Sequence, residues 1–203
     1  AEEAGNKITA AANRVYQDYV ASQDVRGTQL VFSDTFNPRS MFTLNGFMAG
    51  EEVDLNFESK PMGEEEESDL EANSFLFADL KRKLIARGIP ANEIAIVAEA
   101  KTDAQREALF DRVKAGDVRV LIGSTSKMGV GVNVQDRLVS LHHLDAPWMP
   151  MEVEQREGRI VRFGNLNKEV SIYRYAMSNT LDGAIFASIA RKSKFIWQVL
   201  SGK

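Results

Sequence analysis

Five short runs rich in β-branched and aromatic residues are spaced along the chain: TQLVFSD (28–34), EIAIVAE (93–99), VRVLIGS (118–124), RLVSLHHLD (137–145) and EVSIYRYA (169–176). Each is bounded by turn residues, and helical patterns lie between most of them. That alternation predicts parallel βαβ units, an open and mostly parallel sheet with helices on both faces. In such sheets ligands meet the loops at the carboxyl ends of the strands. The loops after 28–33, 118–123 and 138–144 therefore become the first places to look for chemistry.

The helical segments follow from spacing and punctuation. Residues 4–24 place Ile8, Ala11, Ala12, Val15 and Tyr19 at i, i+3/i+4 intervals. SFLFADLKRKLIARG (74–88) is amphipathic and closed by Gly88 and Pro90. TDAQREALFDRVKAG (102–116) opens on a Thr/Asp start and stops at glycine. A last helix is predicted over about 180–200. Between Asn37 and Asn73 no period is clear and five Pro or Gly residues interrupt, so 37–73 is expected to be an insertion or long loop.

The 203 residues are 44% hydrophobic and 27% charged, ordinary globular material for one large α/β domain. Without cysteine, disulfide frameworks and thiolate metal sites are excluded, which fits a reducing cytoplasm. No apolar run approaches the roughly 20 residues of a membrane span, and the first ten residues lack the features of a signal peptide. Net charge is −4, which argues against nucleic acid until its distribution is considered. Residues 51–71 hold 10 acids and one lysine, leaving 19 acids against 24 basic residues elsewhere, a remainder of +5. The acidity is local: a solvated loop, or a decoy that competes with phosphate.

Two of the three loops carry phosphate-friendly groups. STSKMGVGVNVQ (124–135) offers the hydroxyls of Ser124, Thr125 and Ser126, and its alternate glycines let backbone approach a ligand closely. After the turn DAPWMP comes QREGRIVR (155–162). On a helix, Gln155, Arg159 and Arg162 fall within roughly 60° of one another, a doubly cationic stripe beside the bare Gly158. The adjacent His142 and His143 point to opposite sheet faces and cannot easily share a metal; one is expected inside and one near the edge. No metal site is expected. Trp148 is expected to anchor its turn, while Arg191, Lys192 and Lys194 suit either phosphates or an outer helix face.

QREGRIVR matches the Q-x-x-G-R-x-x-R pattern of motif VI in superfamily 2 helicases and translocases. STSKMGVGVNVQ resembles motif V of the Swi/Snf-like branch, S-T-x-x-x-G-x-G-x-N, with Lys127 and Met128 standing where smaller residues are common. TQLVFSD is similar to motif IV, DAPWMP to the turn between motifs V and VI, and 169–186 to the closing strand and helix. The nearest resemblance is to helicase-like regions of large bacterial, plasmid and phage proteins that also carry an adenine-specific DNA methyltransferase.

The resemblance implies a RecA-like three-layer αβα domain over 27–200, preceded by a connecting helix over 1–26. It implies the second lobe of a DNA-dependent ATPase, with ATP held between two lobes and magnesium supplied mainly by the first. No G-x-x-x-x-G-K-[ST] loop and no D-E-x-H-like pair occurs, so a fragment of a larger protein, inactive alone, is expected. Carried over by position, Arg162 is the arginine finger, Arg159 the second phosphate-facing arginine, and Gln155 a nucleotide or water contact. Gly129, Gly131, Asn133 and Gly158 would face the nucleotide; Ser33, Ser124, Thr125 and Lys127 would line a track for DNA, duplex more than single strand. Partners implied are the first lobe, a methyltransferase domain and no membrane. The rival readings are a non-catalytic RecA-like module that clamps DNA or protein, and an unrelated α/β nucleotide-binding domain. The absence of a phosphate-binding glycine loop after the first strand weakens the latter.

Overall fold

In the computed structural model, residues 2–34, 65–128, 133–145, 150–158, 164–176, 187–188 and 190–191 are described, with backbone alone at 2–6, 65–74, 150–152 and 155. The elements are α1 (Glu2–Ala21), β1 (Thr28–Phe32), α2 (Glu65–Ala86), β2 (Ile94–Ile96), α3 (Asp103–Ala115), β3 (Val120–Gly123), α4 (Thr125–Met128), β4 (Leu138–His143), α5 (Pro150–Glu157) and β5 (Ser171–Arg174). The strands form one sheet in the order β2-β3-β1-β4-β5. Every pairing is parallel. All five carboxyl ends therefore share one edge.

The central strand β1 is buried at every residue, as expected of a parallel strand covered on both faces. One core joins Ala11, Val15 and Tyr19 of α1 and Phe77, Leu80 and Leu84 of α2 to Val31, Val120 and Ile122. The other joins Leu109 and Val113 of α3 and Met128 of α4 to Leu30, Phe32, Leu121 and Leu141. Alternate residues of one strand thus enter opposite cores, which makes the molecule three layers, helix–sheet–helix.

Local chemistry sets the boundaries. Thr102 and Gln105 form a reciprocal capping box at the start of α3, and Gly116 ends it at φ 82°, a left-handed conformation that glycine adopts without strain. The run at 93–99 holds only three paired residues. The β2 ladder stops at Ile96↔Ile122, and single 3-10 turns at Ala91–Glu93 and Val97–Glu99 flank it. Helix α2 begins at Glu65, so residues 65–73 of the expected insertion are helical. The cause is propensity rather than periodicity: Glu, Leu and Ala favour helix, and acids at its start suit the positive end of the helix dipole. Residues 37–64 lie outside the described residues, as does most of the last expected helix, of which Ala187, Ser188, Ala190 and Arg191 are helical.

At the amino edge of the sheet, a buried arginine fastens α1. Arg119 donates to the carbonyls of Gly27 (3.0 Å) and Tyr19 (2.7 Å) and to Ser22 Oγ (3.1 Å), with its guanidinium 3.9 Å from the Tyr19 ring centroid. The close approach leaves no room at Gly27, where a Cβ would stand 2.6 Å from that of Ser22 and 2.7 Å from Val139 Cγ1.

The two histidines of β4 differ from expectation: both are fully buried. Because β4 is an inner strand, each face of it is covered by a helical layer, and neither side chain reaches an edge. His142 stacks on Tyr173 at 5.0 Å and contacts Tyr175 Oη (2.8 Å) and Gln29 Oε1 (2.9 Å). Burial, with Arg14 and His143 adding to it, pushes its pKa from 6.5 down to about 3. The unfolded chain therefore takes up a proton that the fold refuses once the pH drops below 6.5. Stability from this group is complete above that pH and is lost on acidification at about 1.4 kcal/mol per pH unit. Urea denaturation is accordingly expected to show a lower midpoint at pH 5 than at pH 7.5, with a shallower dependence in His142→Gln. Equal pH dependence in the two proteins contradicts this account.

Candidate functional site

The carboxyl edge gathers the ends of β1, β3 and β4 and the helix α5. Its centre is Arg156, the seventh residue of α5, whose side chain is fully buried. Burying a guanidinium demands that its donors be satisfied. Nε donates to Thr125 Oγ1 at 2.6 Å, one terminal nitrogen to Asp34 Oδ2 at 2.5 Å, and the other to Asp145 Oδ1 at 3.1 Å and His143 Nδ1 at 3.2 Å. Phe32 lies beneath, its ring centroid 5.3 Å from the guanidinium carbon. Val153, one turn earlier, is buried on the same side of α5.

The acceptors are bound in turn. Asp34 accepts from the Thr125 amide (2.8 Å) and hydroxyl, and its own amide donates to Asp145. Ser33 Oγ donates to Asp145 Oδ2 at 3.4 Å. One positive charge therefore holds together the exits of three strands and the helix carrying QREG. Because both carboxylates are already engaged in this way, they do not resemble a metal donor set. No group of three His, Cys, Asp or Glu that could hold a metal occurs among the described residues.

A second contact lies at the end of α5. Glu157 Oε1 accepts from Arg174 Nε at 3.2 Å and from a second guanidinium nitrogen, and stands 3.2 Å from His143 Nε2. Burial alone would raise its carboxyl pKa; the close His143 ring, the hydrogen bonds from Arg174 and the charge of Arg174 outweigh it and hold the group below 4.5. His143 is pushed down chiefly by burial. With Arg156 donating to Nδ1, the neutral ring carries its proton on Nε2, toward Glu157.

The expected site residues are distributed as follows. Ser33 is buried against Asp145, and Thr125 is committed to Asp34 and Arg156. Ser124 immediately precedes α4, its Oγ 3.0 Å from Ser126 Oγ and accepting from the Lys127 amide at 3.4 Å. Lys127 and Asn133 are exposed. Gln155 lies on α5, next to Arg156. Gly158 is exposed in the turn after it; its amide donates to the Glu154 carbonyl at 2.7 Å, and a Cβ there would stand 2.8 Å from that oxygen. Gly129, Gly131, Arg159 and Arg162 lie outside the described residues, as does Trp148. Arg156, Asp34, Asp145, Glu157 and Arg174 did not emerge from sequence reasoning. The available signal was an acid closing each of two strands, at 34 and 145, opposite one arginine inside QREG.

Removing one partner of a buried ion pair leaves the other charge uncompensated. Arg156→Ala is expected to destabilise the chain by about 3–5 kcal/mol, measured by urea denaturation. A loss below about 1 kcal/mol, the value of an exposed pair, would show that the network contributes little.

Residues 69–164 match the helicase conserved C-terminal domain. Over 80 residues the chain is 30% identical to Defense against restriction protein B of Escherichia phage P1, a match covering 39% of this chain and 4% of that protein. Over 77 residues it is 38% identical to the uncharacterized ATP-dependent helicase YqhH of Bacillus subtilis strain 168, covering 38% of this chain and 13% of the relative. The chain thus matches only a small part of either relative's length. Among solved structures, S. cerevisiae Dbp5 bound to RNA and ADP BeF3 superposes with a TM-score of 0.55 at 16% identity, covering 93% of this chain and 36% of that one. The helicase MrfA bound to DNA gives 0.55 at 14%, covering 93% and 20%. The C-terminal part of the Fun30 ATPase domain gives 0.51 at 17%, covering 89% and 44%. At these identities the superpositions establish the fold alone, a RecA-like α/β domain, and the family match adds a resemblance of residues 69–164 to the helicase conserved C-terminal domain.

Proposed function

We propose that this domain is the second motor lobe of a DNA-dependent ATPase of the Swi/Snf-like branch, acting on duplex DNA. The observation that carries the reading is the Arg156 network, which ties the start of STSKMGVGVNVQ to QREGRIVR at the carboxyl edge of a parallel sheet. Those are the two segments whose patterns match motifs V and VI. In this reading Arg162 is the finger that neutralises charge building on the transferred phosphoryl group, and Arg159 binds beside it. Arginine suits both places because its planar fork stays charged and grips phosphate oxygens in pairs.

Gln155 would address the nucleotide or the attacking water, Asn133 would lie near the ribose, and Gly129, Gly131 and Gly158 would let backbone approach the nucleotide closely. Of the DNA track, Ser124 and Lys127 would make direct contact, while Thr125 and Ser33 hold the loop from within. Magnesium offsets phosphate charge when bound and is assigned to the first lobe. That lobe, and an adenine-specific methyltransferase domain, would belong to the same polypeptide, in the cytoplasm.

The test is ATP hydrolysis by the longest native polypeptide that contains residues 1–203, with and without duplex DNA, beside its Arg162→Ala variant. DNA-stimulated turnover is expected, lowered roughly 10³-fold or more by the substitution. Residues 1–203 alone are expected to hydrolyse no ATP. Turnover by the isolated chain that depends on Arg162 would overturn the two-lobe reading. Turnover of the native polypeptide indifferent to Arg162 would leave a RecA-like module that binds DNA or protein.

A further inference from the structure

Glu157 occupies a place that helix stability does not explain. It is the last residue of α5, where a carboxylate opposes the negative end of the helix dipole. It is kept there by β4 and β5, whose His143 and Arg174 are direct neighbours in the sheet register and meet the same oxygen, Glu157 Oε1. The fully buried His143 is fixed from its other side by Arg156, at 3.2 Å. The contact between His143 Nε2 and Glu157 is close but not aligned as a hydrogen bond, so Arg174 supplies the directional grip.

The next residue is Gly158, which has no side chain to brace the backbone and cannot acquire one without its Cβ meeting the Glu154 carbonyl at 2.8 Å. Glu157 is therefore the last residue anchored by its side chain before the glycine, two positions ahead of Arg159 and five ahead of Arg162. The Arg174–Glu157 pair is half exposed, with side-chain exposures of 48% and 21%. Such pairs contribute little to stability, which leaves orientation as the physical effect of this one.

We propose that Arg174, acting through Glu157, is a positioning residue: it pins the exit of α5 to β4 and β5, the point from which the chain continues into the rest of QREGRIVR. The inference rests on the functional reading given above. It adds a residue outside QREGRIVR to the machinery that this reading describes.

The experiment is steady-state ATP hydrolysis by the native polypeptide containing residues 1–203, saturated with duplex DNA. The variants are Arg174→Ala, Arg174→Lys, Glu157→Gln and Arg162→Ala, with Lys114→Ala as a surface-charge control. Misplacement of a reacting group by about an ångström costs up to roughly 10²-fold. Arg174→Ala and Glu157→Gln are expected to lower kcat roughly 10- to 100-fold, with KM for ATP within about twofold and an unchanged melting temperature. Arg174→Lys should restore most of the rate, and Lys114→Ala should match the native protein. If Arg162→Ala abolishes turnover but Arg174→Ala leaves kcat intact, or lowers it only in proportion to lost folded protein, the positioning role is wrong. If Arg162→Ala has no effect, the functional reading fails and this inference fails with it.

Discussion

The buried guanidinium of Arg156 is the constraint around which the carboxyl edge is organised. A charge removed from water is tolerated only when its donors are matched, and here two carboxylates, a hydroxyl and an imidazole nitrogen supply that match. The matching groups come from the ends of β1, β3 and β4 and lie up to 122 positions from Arg156 in sequence. None of these loops can shift alone without leaving a donor of the buried guanidinium unmatched. A site assembled from loops thereby gains the rigidity of a single unit, which a reaction requiring accurate placement needs.

A second buried arginine marks the opposite edge. Arg119 binds backbone carbonyls of Tyr19 and Gly27, with a hydroxyl and an aromatic face completing its shell. Among the described residues, no carboxylate accepts a hydrogen bond from it. Its partners belong to α1 and the turn into β1, so its effect is to seat the first helix on the sheet. The edges thus divide the work: Arg119 fastens the layers together, while Arg156 arranges groups where the strands of an open α/β sheet present ligands.

Much of this architecture was legible in the sequence because strand composition and helix periodicity report burial directly. The capping box at Thr102 and the stop at Gly116 were visible as residue types at fixed offsets. The start of α2 was not, since residues 65–73 are helical by propensity and show no apolar stripe to a reader of periods. The adjacent histidines were assigned correctly to opposite faces. Their shared burial could not be seen, because it depends on β4 being an inner strand. The site was half legible. Spacing drew attention to Gln155, Arg159 and Arg162, whereas Arg156 looked like one more charge on a polar helix. Only the fold shows that Asp34, Thr125 and Asp145 converge on it, and that Thr125 and Ser33 turn inward.

The central claim is that Arg156 and Asp34 act as one unit, and a double-mutant cycle on folding stability tests it most directly. Arg156→Met, Asp34→Ala and the double variant would be compared by urea denaturation of residues 1–203. The account predicts that the two losses are strongly non-additive, with a coupling energy of about 2 kcal/mol or more, toward the upper part of the range for groups in one hydrogen-bonded network. Losses that add to within about 0.5 kcal/mol, as they do for independent sites, would show that the buried guanidinium does not join these loops.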